Sequence, residues 1–330
     1  MKALTFSVLR QLSSNEFSSG ETIARQLGIS RGSVWEALKN LDRHGIQIFR
    51  LPGRGYRLAE AVHWLDRDEI QSVLGDKARL IQLEVVDTAD SSNTILMQKA
   101  ALGAEHGRCL AVELQTRGRG RRGRTWHASL GGSLTFSLLW RFSQGASFLS
   151  GLSLAVGVAL MRALEQAGIR NAYLKWPNDV LHGQQKLAGI LIELQGDMLG
   201  PSSAVIGIGL NLKLAEPARA HIDQPATDIA AIHAGLSNRN HLLALILGHL
   251  SDVLQQFETE GFGRLREEWS RHHFYHDQPV RMLLPDGCDY LGTVAGVADD
   301  GALLVRGEDG ERRFIAGEIS MRSNLEEVSL

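Results

Sequence analysis

The sequence predicts an α+β chain of several domains, and three observations carry that expectation. Residues 1–62 hold two short helical patterns followed by a hairpin. The middle alternates strand-like and helix-like segments around glycine-rich loops, as far as a long helix from about Arg239 to Glu260. Beyond Trp269 the periodicity shifts to short strands separated by Asp-Gly turns, the pattern of a small barrel. At 330 residues, with 44% hydrophobic and 22% charged content, the chain can bury two or three cores and is neither disordered nor fibrous.

The stretch Glu21 to Leu41 reads as two helices joined by a turn at Gly28, with Ser30 as an N-cap. Val34, Ala37, Leu38 and Leu41 recur at helical spacing and face inward. Arg31, Gly32, Ser33, Trp35, Glu36 and Lys39 then face outward, as the groove-reading surface of a helix-turn-helix. Gln47 to Leu58 reads as a hairpin with Arg54 at its tip, a wing. Residues 1–62 carry nine Lys+Arg against five Asp+Glu, a net +4, which leaves −6 for the rest of a chain of net −2. Positive charge thus gathers where phosphate would be met, and Arg31, Ser33, Trp35, Lys39 and Arg54 are the candidate DNA contacts. Trp35 and Glu36 are unusual on a phosphate-facing surface and leave the operator sequence open; a helix-turn-helix also serves as a packing module.

His63 to Leu74 reads as a connecting helix, and Leu110 to Leu114 as a buried strand. The run Gly118-Arg119-Gly120-Arg121-Arg122-Gly123-Arg124-Thr125-Trp126 follows, four guanidiniums and three glycines in nine residues. Glycine lets backbone N–H groups approach an anion, and arginine supplies a charged fork of donors. The run matches G-x-G-x-x-G, and also a phosphate-binding P-loop with arginine for lysine. Both need a helix to start at the last glycine, yet a turn and then a strand, Ser133 to Trp140, come next. A basic surface loop on nucleic acid is the alternative reading. Leu152 to Leu164 reads as a buried helix stopped by Gly168, too short to span a bilayer. Lys175-Trp176-Pro177-Asn178-Asp179 puts a cation, a flat ring, a rigid turn residue, an amide and a carboxylate on one turn. Lys186 stands at the mouth of the apolar strand that runs to Glu193, and Asn211 closes the strand Gly207 to Leu212.

At the C-terminal end, strands are expected at Pro279–Leu284, Tyr290–Val297, Ala302–Val305 and Arg312–Ile315. His272, His273 and His276 lack a convincing ligand set, so they are read as surface or packing residues and no protein-held metal is expected. Cys109 and Cys288 give no disulfide framework, and no signal peptide or membrane span is read. A reducing, cytoplasmic setting is expected.

In this order and spacing the central segments resemble the biotin protein ligases. Asp90-Ser91-Ser92-Asn93-Thr94 looks like that family's D-S-T-N biotin-binding segment with Ser92 for Thr, and Gln115 precedes the arginine loop where the family carries glutamine. With the winged helix, the chain resembles the bifunctional biotin ligases that also repress the biotin operon. The resemblance implies a winged helix-turn-helix over 1–62, a class II synthetase-like α/β catalytic domain with a mixed sheet over 63–272, and an SH3-like β-barrel over 273–330, closed by Gly317-Glu318-Ile319-Ser320.

It also implies the chemistry. A carboxylate repels nucleophiles and has only oxide to lose, so ATP first converts biotin to biotinyl-5'-adenylate, which passes to a lysine of a biotin carboxyl carrier protein. Two anions must meet, and one cation about 4 Å from a unit charge contributes on the order of 4 kcal/mol at an effective dielectric near 20. By resemblance, Ser91, Ser92, Asn93 and Gln115 hold the biotin head group; Arg119, Gly120 and Arg121 begin the loop over biotin and phosphate; Arg122 and Arg124 lie nearer the nucleotide, and Trp126 is a further binding candidate. Lys186 and Arg121 are the leading catalytic candidates, with Lys175, Asn178 and Asp179 aiding adenylation and the Mg2+ that arrives with ATP, and Asn211 on the adenine side. Operator DNA and a second copy of the chain, paired when the adenylate is bound, are the other expected partners, and no membrane is. A lipoate–protein ligase and a DNA-binding biotin sensor without ligase activity are the rival readings.

Overall fold

A computed structural model of the chain describes residues 1–214, 219, 221–222, 224–233, 235, 238–284, 287–315 and 320–323. The N-terminal unit comprises α1 (Ala3–Leu9), α2 (Gly20–Leu27) and α3 (Arg31–Ala37), then β1 (Ile48–Leu51) and β2 (Gly55–Leu58) paired antiparallel. Ser30 caps α3 by accepting from Ser33 N at 3.0 Å, and Gly28 ends α2 at φ +64°, where a side chain would be strained. Val34, Ala37, Leu38 and Leu41 are all buried, as their spacing requires. The helix itself stops at Ala37, because Asn40 turns left-handed at φ 58° and starts a tighter 3-10 turn over Leu41–His44. Gly55 is needed for another reason: a β-carbon there would overlap the Ser18 carbonyl, which Tyr56 N meets at 2.9 Å to fasten the wing.

The connecting helix is shorter than its sequence pattern. Residues 61–66 form neither helix nor strand, and α4 (Arg67–Leu74) begins after Asp66, whose carboxylate accepts from Asp68 N and Glu69 N. The cause lies far away in sequence. Buried Glu113 accepts from Leu65 N at 2.5 Å and from Arg239 Nη1 at 2.9 Å, and Arg239 also donates to the carbonyls of Ser133 (3.1 Å) and His63 (3.4 Å). This buried ion pair holds the connector against the central sheet.

That sheet is assembled from β3 (Gln82–Ala89), β4 (Arg108–Gln115), β7 (Ser133–Phe142), β8 (Ala172–Lys175), β9 (Asp179–His182), β10 (Gln185–Gly196) and β11 (Ser202–Asn211), in the order β3-β4-β7-β11-β10-β9-β8. The strands β5 (Gly118–Arg119) and β6 (Thr125–Trp126) form a separate hairpin between β4 and β7. Only β3 and β4 run parallel, so the sheet is mixed. Alternate residues serve opposite faces. Phe136, Leu138, Ile206 and Ile208 pack with α6 (Leu152–Gln166) and α8 (Arg239–Glu260); Val112, Leu139 and Val205 pack under α5 (Ser92–Ala101). The short α7 (Ile229–Ile232) precedes α8, and α9 (Arg266–His272) follows it. Among the described residues no helix is long and apolar enough to cross a membrane.

The C-terminal unit is an antiparallel sheet, ordered β15-β14-β13-β12-β16, from β12 (Pro279–Leu283), β13 (Asp289–Val297), β14 (Leu303–Gly307), β15 (Gly310–Phe314) and β16 (Ser320–Ser323). Gly317, Glu318 and Ile319 of the expected closing motif lie outside the described residues; Ser320 opens β16. The apolar face of this sheet, with Val280, Val294, Leu303 and Phe314, is continuous with the central core, and Trp176 Nε1 donates to Gly301 O across the seam at 3.1 Å.

His273 sits in that seam, buried, its ring 4.5 Å from that of Trp269, and burial pushes its pKa down to about 3. The folded chain holds the neutral ring, so between pH 6.5 and 3 the unfolded chain binds the extra proton. Stability from this group is full above pH 6.5 and falls with pH by at most about 1.4 kcal/mol per unit. His273→Phe should therefore flatten the loss of stability between pH 6.5 and 5, measured by urea denaturation; equal slopes in the two proteins would exclude this titration.

Candidate functional site

One cleft of about 420 Å³ gathers every residue that the sequence put forward for catalysis or ligand binding. Ser91 caps α5, and Ser92 and Asn93 form its first turn, all buried. Gln115 ends β4. Arg119, Gly120, Arg121, Arg122, Arg124 and Trp126 come from the β5–β6 hairpin, Lys175 from the end of β8, Asn178 and Asp179 from the start of β9, Lys186 from β10 and Asn211 from the end of β11.

No helix follows the arginine loop, so both helix-dependent phosphate motifs fail. Gly118 pairs with Trp126 and Arg119 with Thr125, and two successive left-handed residues, Arg122 (φ 57°) and Gly123 (φ 73°), turn the chain. The arginines take different anchors. Arg119 makes a two-pronged pair with Glu193 (2.8 and 3.2 Å) and reaches Thr94 Oγ1 at 3.2 Å. Arg121 donates to Asn178 Oδ1 at 3.0 Å. Its pKa is lowered, chiefly by desolvation, with Asp179 opposing and Arg122 and Arg124 adding to the shift.

Lys186 is not the open strand-start lysine that its position suggests. Its Nζ lies 2.7 Å from Asp179 Oδ1 and both side chains are about one-sixth exposed, at 17% each. That carboxylate oxygen has no aligned hydrogen bond, so the contact is a charge pair. Asn211 is committed too: its amide donates to Thr227 O at 3.0 Å and Lys186 O at 3.4 Å. Lys175 Nζ lies 5.6 Å from the centre of the Tyr275 ring.

Several lining features escaped the sequence reading. Residues 224–227 strap across the start of β10, with Lys186 N donating to Pro225 O and Thr227 N to Lys186 O; Gln224 and Ala226 line the cleft, and Asp223 lies outside the described residues. Met321 and Arg322 arrive from the C-terminal sheet, and His127 faces His221 at 5.9 Å between ring centres. Gly189 and Gly209, opposite each other on β10 and β11, form a floor under the Trp126 indole, and Gly207 does the same under the Asn93 amide. The G-x-G before Asn211 was the available signal. Ser137 and Glu193 stand behind Asn93 with nothing local to mark them.

The candidate DNA contacts lie apart from the cleft. Arg31 and Trp35 are exposed on α3 and Lys39 is exposed just beyond its end, with Lys39 Nζ 4.8 Å from the Trp35 ring centre. Ser33 spends its backbone N–H, and brings its hydroxyl to 2.9 Å, on the Ser30 cap. Arg54 is exposed at the wing tip, stacked on Phe17 at 5.4 Å.

A β-carbon at Gly209 would overlap the Trp126 ring. Gly209→Ala should thus lift the indole off the sheet and make it more accessible to acrylamide, with the extra quenching lost in Gly209→Ala/Trp126→Phe. Unchanged quenching would mean the ring does not rest there.

Comparison with known proteins gives a consistent result. The model of the biotin/lipoate A/B protein ligase family matches residues 85–211, that of the biotin protein ligase C-terminal domain 275–322, and an HTH domain 5–57. The chain is 35% identical over 313 residues to the bifunctional ligase/repressor BirA of Salmonella typhimurium, covering 94% of this chain and 95% of that protein. Identity to BirA of Escherichia coli is 33%, with the same coverage. The biotin protein ligase of Aquifex aeolicus, solved in complex with biotin and ATP, superposes with a TM-score of 0.62 at 27% identity, over 73% of this chain and 98% of that one. The chain belongs to the biotin/lipoate protein ligase family and, within it, to the group of bifunctional ligase/repressors.

Proposed function

We propose that this protein joins biotin to ATP as biotinyl-5'-adenylate, transfers the biotinyl group to a lysine of a biotin carboxyl carrier protein, and as an adenylate-bound dimer represses transcription from operator DNA. The observation that carries the reading is one cleft in which a polar, buried head-group end, Ser91 to Asn93 with Gln115, continues into a cationic end with Arg121, Lys175 and Lys186. The names and ligands of the relatives above support it.

In the first step a biotin carboxylate oxygen attacks the α-phosphorus and diphosphate leaves. In the second the carrier amine attacks the acyl carbon, AMP leaves and the amine sheds a proton. Lys186 and Arg121 meet the charge that builds on the acyl and phosphate oxygens, Arg122 and Arg124 reach towards the nucleotide, and Trp126 offers its ring to adenine. Asp179 and Asn178 suit Mg2+ as partial ligands only. Among the described residues no group of three acidic, histidine or cysteine side chains is placed to hold a metal ion, but Asp179 has a buried carboxylate oxygen without an aligned partner. They would hold the ion together with the nucleotide phosphates, where it offsets negative charge. The three units are taken to divide at 62/63 and 272/273, in a cytoplasmic protein.

Biotin and lipoate, each supplied with Mg-ATP and a carrier domain, distinguish this reading from its closest rival; mass addition by biotin alone supports it. Lys186→Ala should lower adenylate formation by at least about a hundredfold while the protein stays folded, since one oriented donor to a developing charge is worth roughly 3–4 kcal/mol. Near-normal diphosphate release by the variant would remove Lys186 from the mechanism.

A single winged helix of net charge +4 reads one half-site weakly at physiological salt, so DNA affinity should follow dimerisation. Biotin with ATP should promote self-association and operator binding together, and acceptor domain should reverse both by consuming the adenylate. Sedimentation and DNA titration with and without biotinyl-adenylate check this; equal values in both states would leave a ligase with an uncoupled DNA-binding domain.

A further inference from the structure

We propose that Trp35 and Glu36 read base edges in the major groove and, together with Lys39, select a C·G pair beside a thymine in each operator half-site. The proposal rests on the reading that the winged helix binds operator DNA.

Val34 and Ala37 turn into the core, so the two residues between them point away from it. Trp35 is 52% exposed and the Glu36 side chain 62%. Lys39 joins them: its Nζ lies 3.9 Å from Glu36 Oε1 and 4.8 Å from the centre of the Trp35 ring. The three side chains make one cluster without net charge, on a unit of net charge +4. A carboxylate repels phosphate, so the backbone contacts fall to cations outside the cluster, such as Arg31 and Arg54. The cluster also stands on a fixed base. Arg50 Nη2, from β1, donates to Leu38 O at 2.5 Å and ties the end of α3 to the wing.

An ionised carboxylate only accepts hydrogen bonds, and the donors on the floor of the major groove are cytosine N4 and adenine N6. Adenine N6 stands between two acceptors, its own N7 and thymine O4, and both repel a carboxylate. Cytosine N4 has one such neighbour, the O6 of its guanine. The Lys39 ammonium, a donor only, answers that O6. An acceptor and a donor held side by side thus match the edge of a C·G pair. The Trp35 ring, one residue earlier, meets the adjoining pair, where the thymine methyl is the apolar group that the groove offers.

Duplexes would be selected from a randomised pool by the whole chain with biotin and Mg-ATP, using wild type, Glu36→Gln and Trp35→Ala. Wild type should enrich C·G at one position of each half-site, with thymine beside it. Glutamine pairs with adenine N6 and N7 together, so Glu36→Gln should move the preference at that position to A·T, a change that a damaged fold cannot produce. For wild type, A·T in place of the C·G pair should weaken binding by about fivefold or more, and uracil in place of the thymine by about threefold. Trp35→Ala should bind the thymine and uracil duplexes alike. The same preferred bases in wild type and Glu36→Gln, or equal affinity of wild type for the thymine and uracil duplexes, would overturn the proposal; the second result would mean that the indole meets the backbone. A wild type that enriches no sequence would overturn the underlying reading, and the inference with it.

Discussion

Six cations from three separate stretches, Arg119, Arg121, Arg122, Arg124, Lys175 and Lys186, line one cleft, and Arg322 adds a seventh from the C-terminal sheet. Like charges this crowded repel, and at an effective dielectric near 20 each pair about 4 Å apart costs on the order of 4 kcal/mol. The fold manages the excess with two carboxylates. Glu193 holds Arg119 at the entrance of the loop, and Asp179 holds Lys186 at the strand bulge between Lys186 and Ala188. Positive charge still dominates, and that surplus suits the cleft to the two anions that the proposed function brings together. The lowered pKa of Arg121 expresses the same constraint: its guanidinium is desolvated beside two other arginines and relieved by one aspartate.

Holding these groups in place requires a surface without side chains beneath them. β10 and β11 supply it through Gly189, Gly207 and Gly209, on the same face of the sheet as Val205 and the α5 helix, while the alternate residues Ile190, Ile206 and Ile208 fill the core on the other face. Strand periodicity thus divides one ribbon into a binding floor and a core wall. The glycines lower strand propensity, and the antiparallel ladders on both sides of β11, ten residue pairs with β7 and nine with β10, offset that weakness.

Much of this was legible in the sequence because it is local. Ser30 and Gly28 mark helix ends by their own side-chain and backbone chemistry, the α8 boundaries follow from apolar periodicity, and the arginine loop declares itself by composition. The failures share a cause. The connector between the winged helix and the central domain reads as helix through His63, but Glu113 and Arg239, 48 and 174 residues beyond Leu65, take its backbone groups. Lys186 reads as exposed until Asp179 and the 224–227 strap cover it. Glu193 looks like an ordinary strand residue, and only the fold reveals that it stands behind Asn93. Pairings set by the fold leave no periodic trace, so a reading of one chain finds the residues that line the cleft more readily than those that stand behind them.

The position of the N-terminal unit follows from the same long-range contacts. Both segments that leave the cleft run directly to it: Leu130, four residues after Trp126, packs against the winged-helix core with Val62 and Trp64, and Lys213, two residues after Asn211, pairs with Glu60 at 2.5 Å. Arg10 adds an ion pair to Asp87 on the edge strand β3 and stacks on Trp64. Exposed pairs of this kind contribute at most about 1 kcal/mol each, so apolar burial at Leu130, Val62 and Trp64 is the larger share of the attachment. A domain held in this way keeps a fixed bearing relative to the catalytic sheet, which a two-fold dimer needs if two recognition helices are to meet successive turns of a DNA duplex.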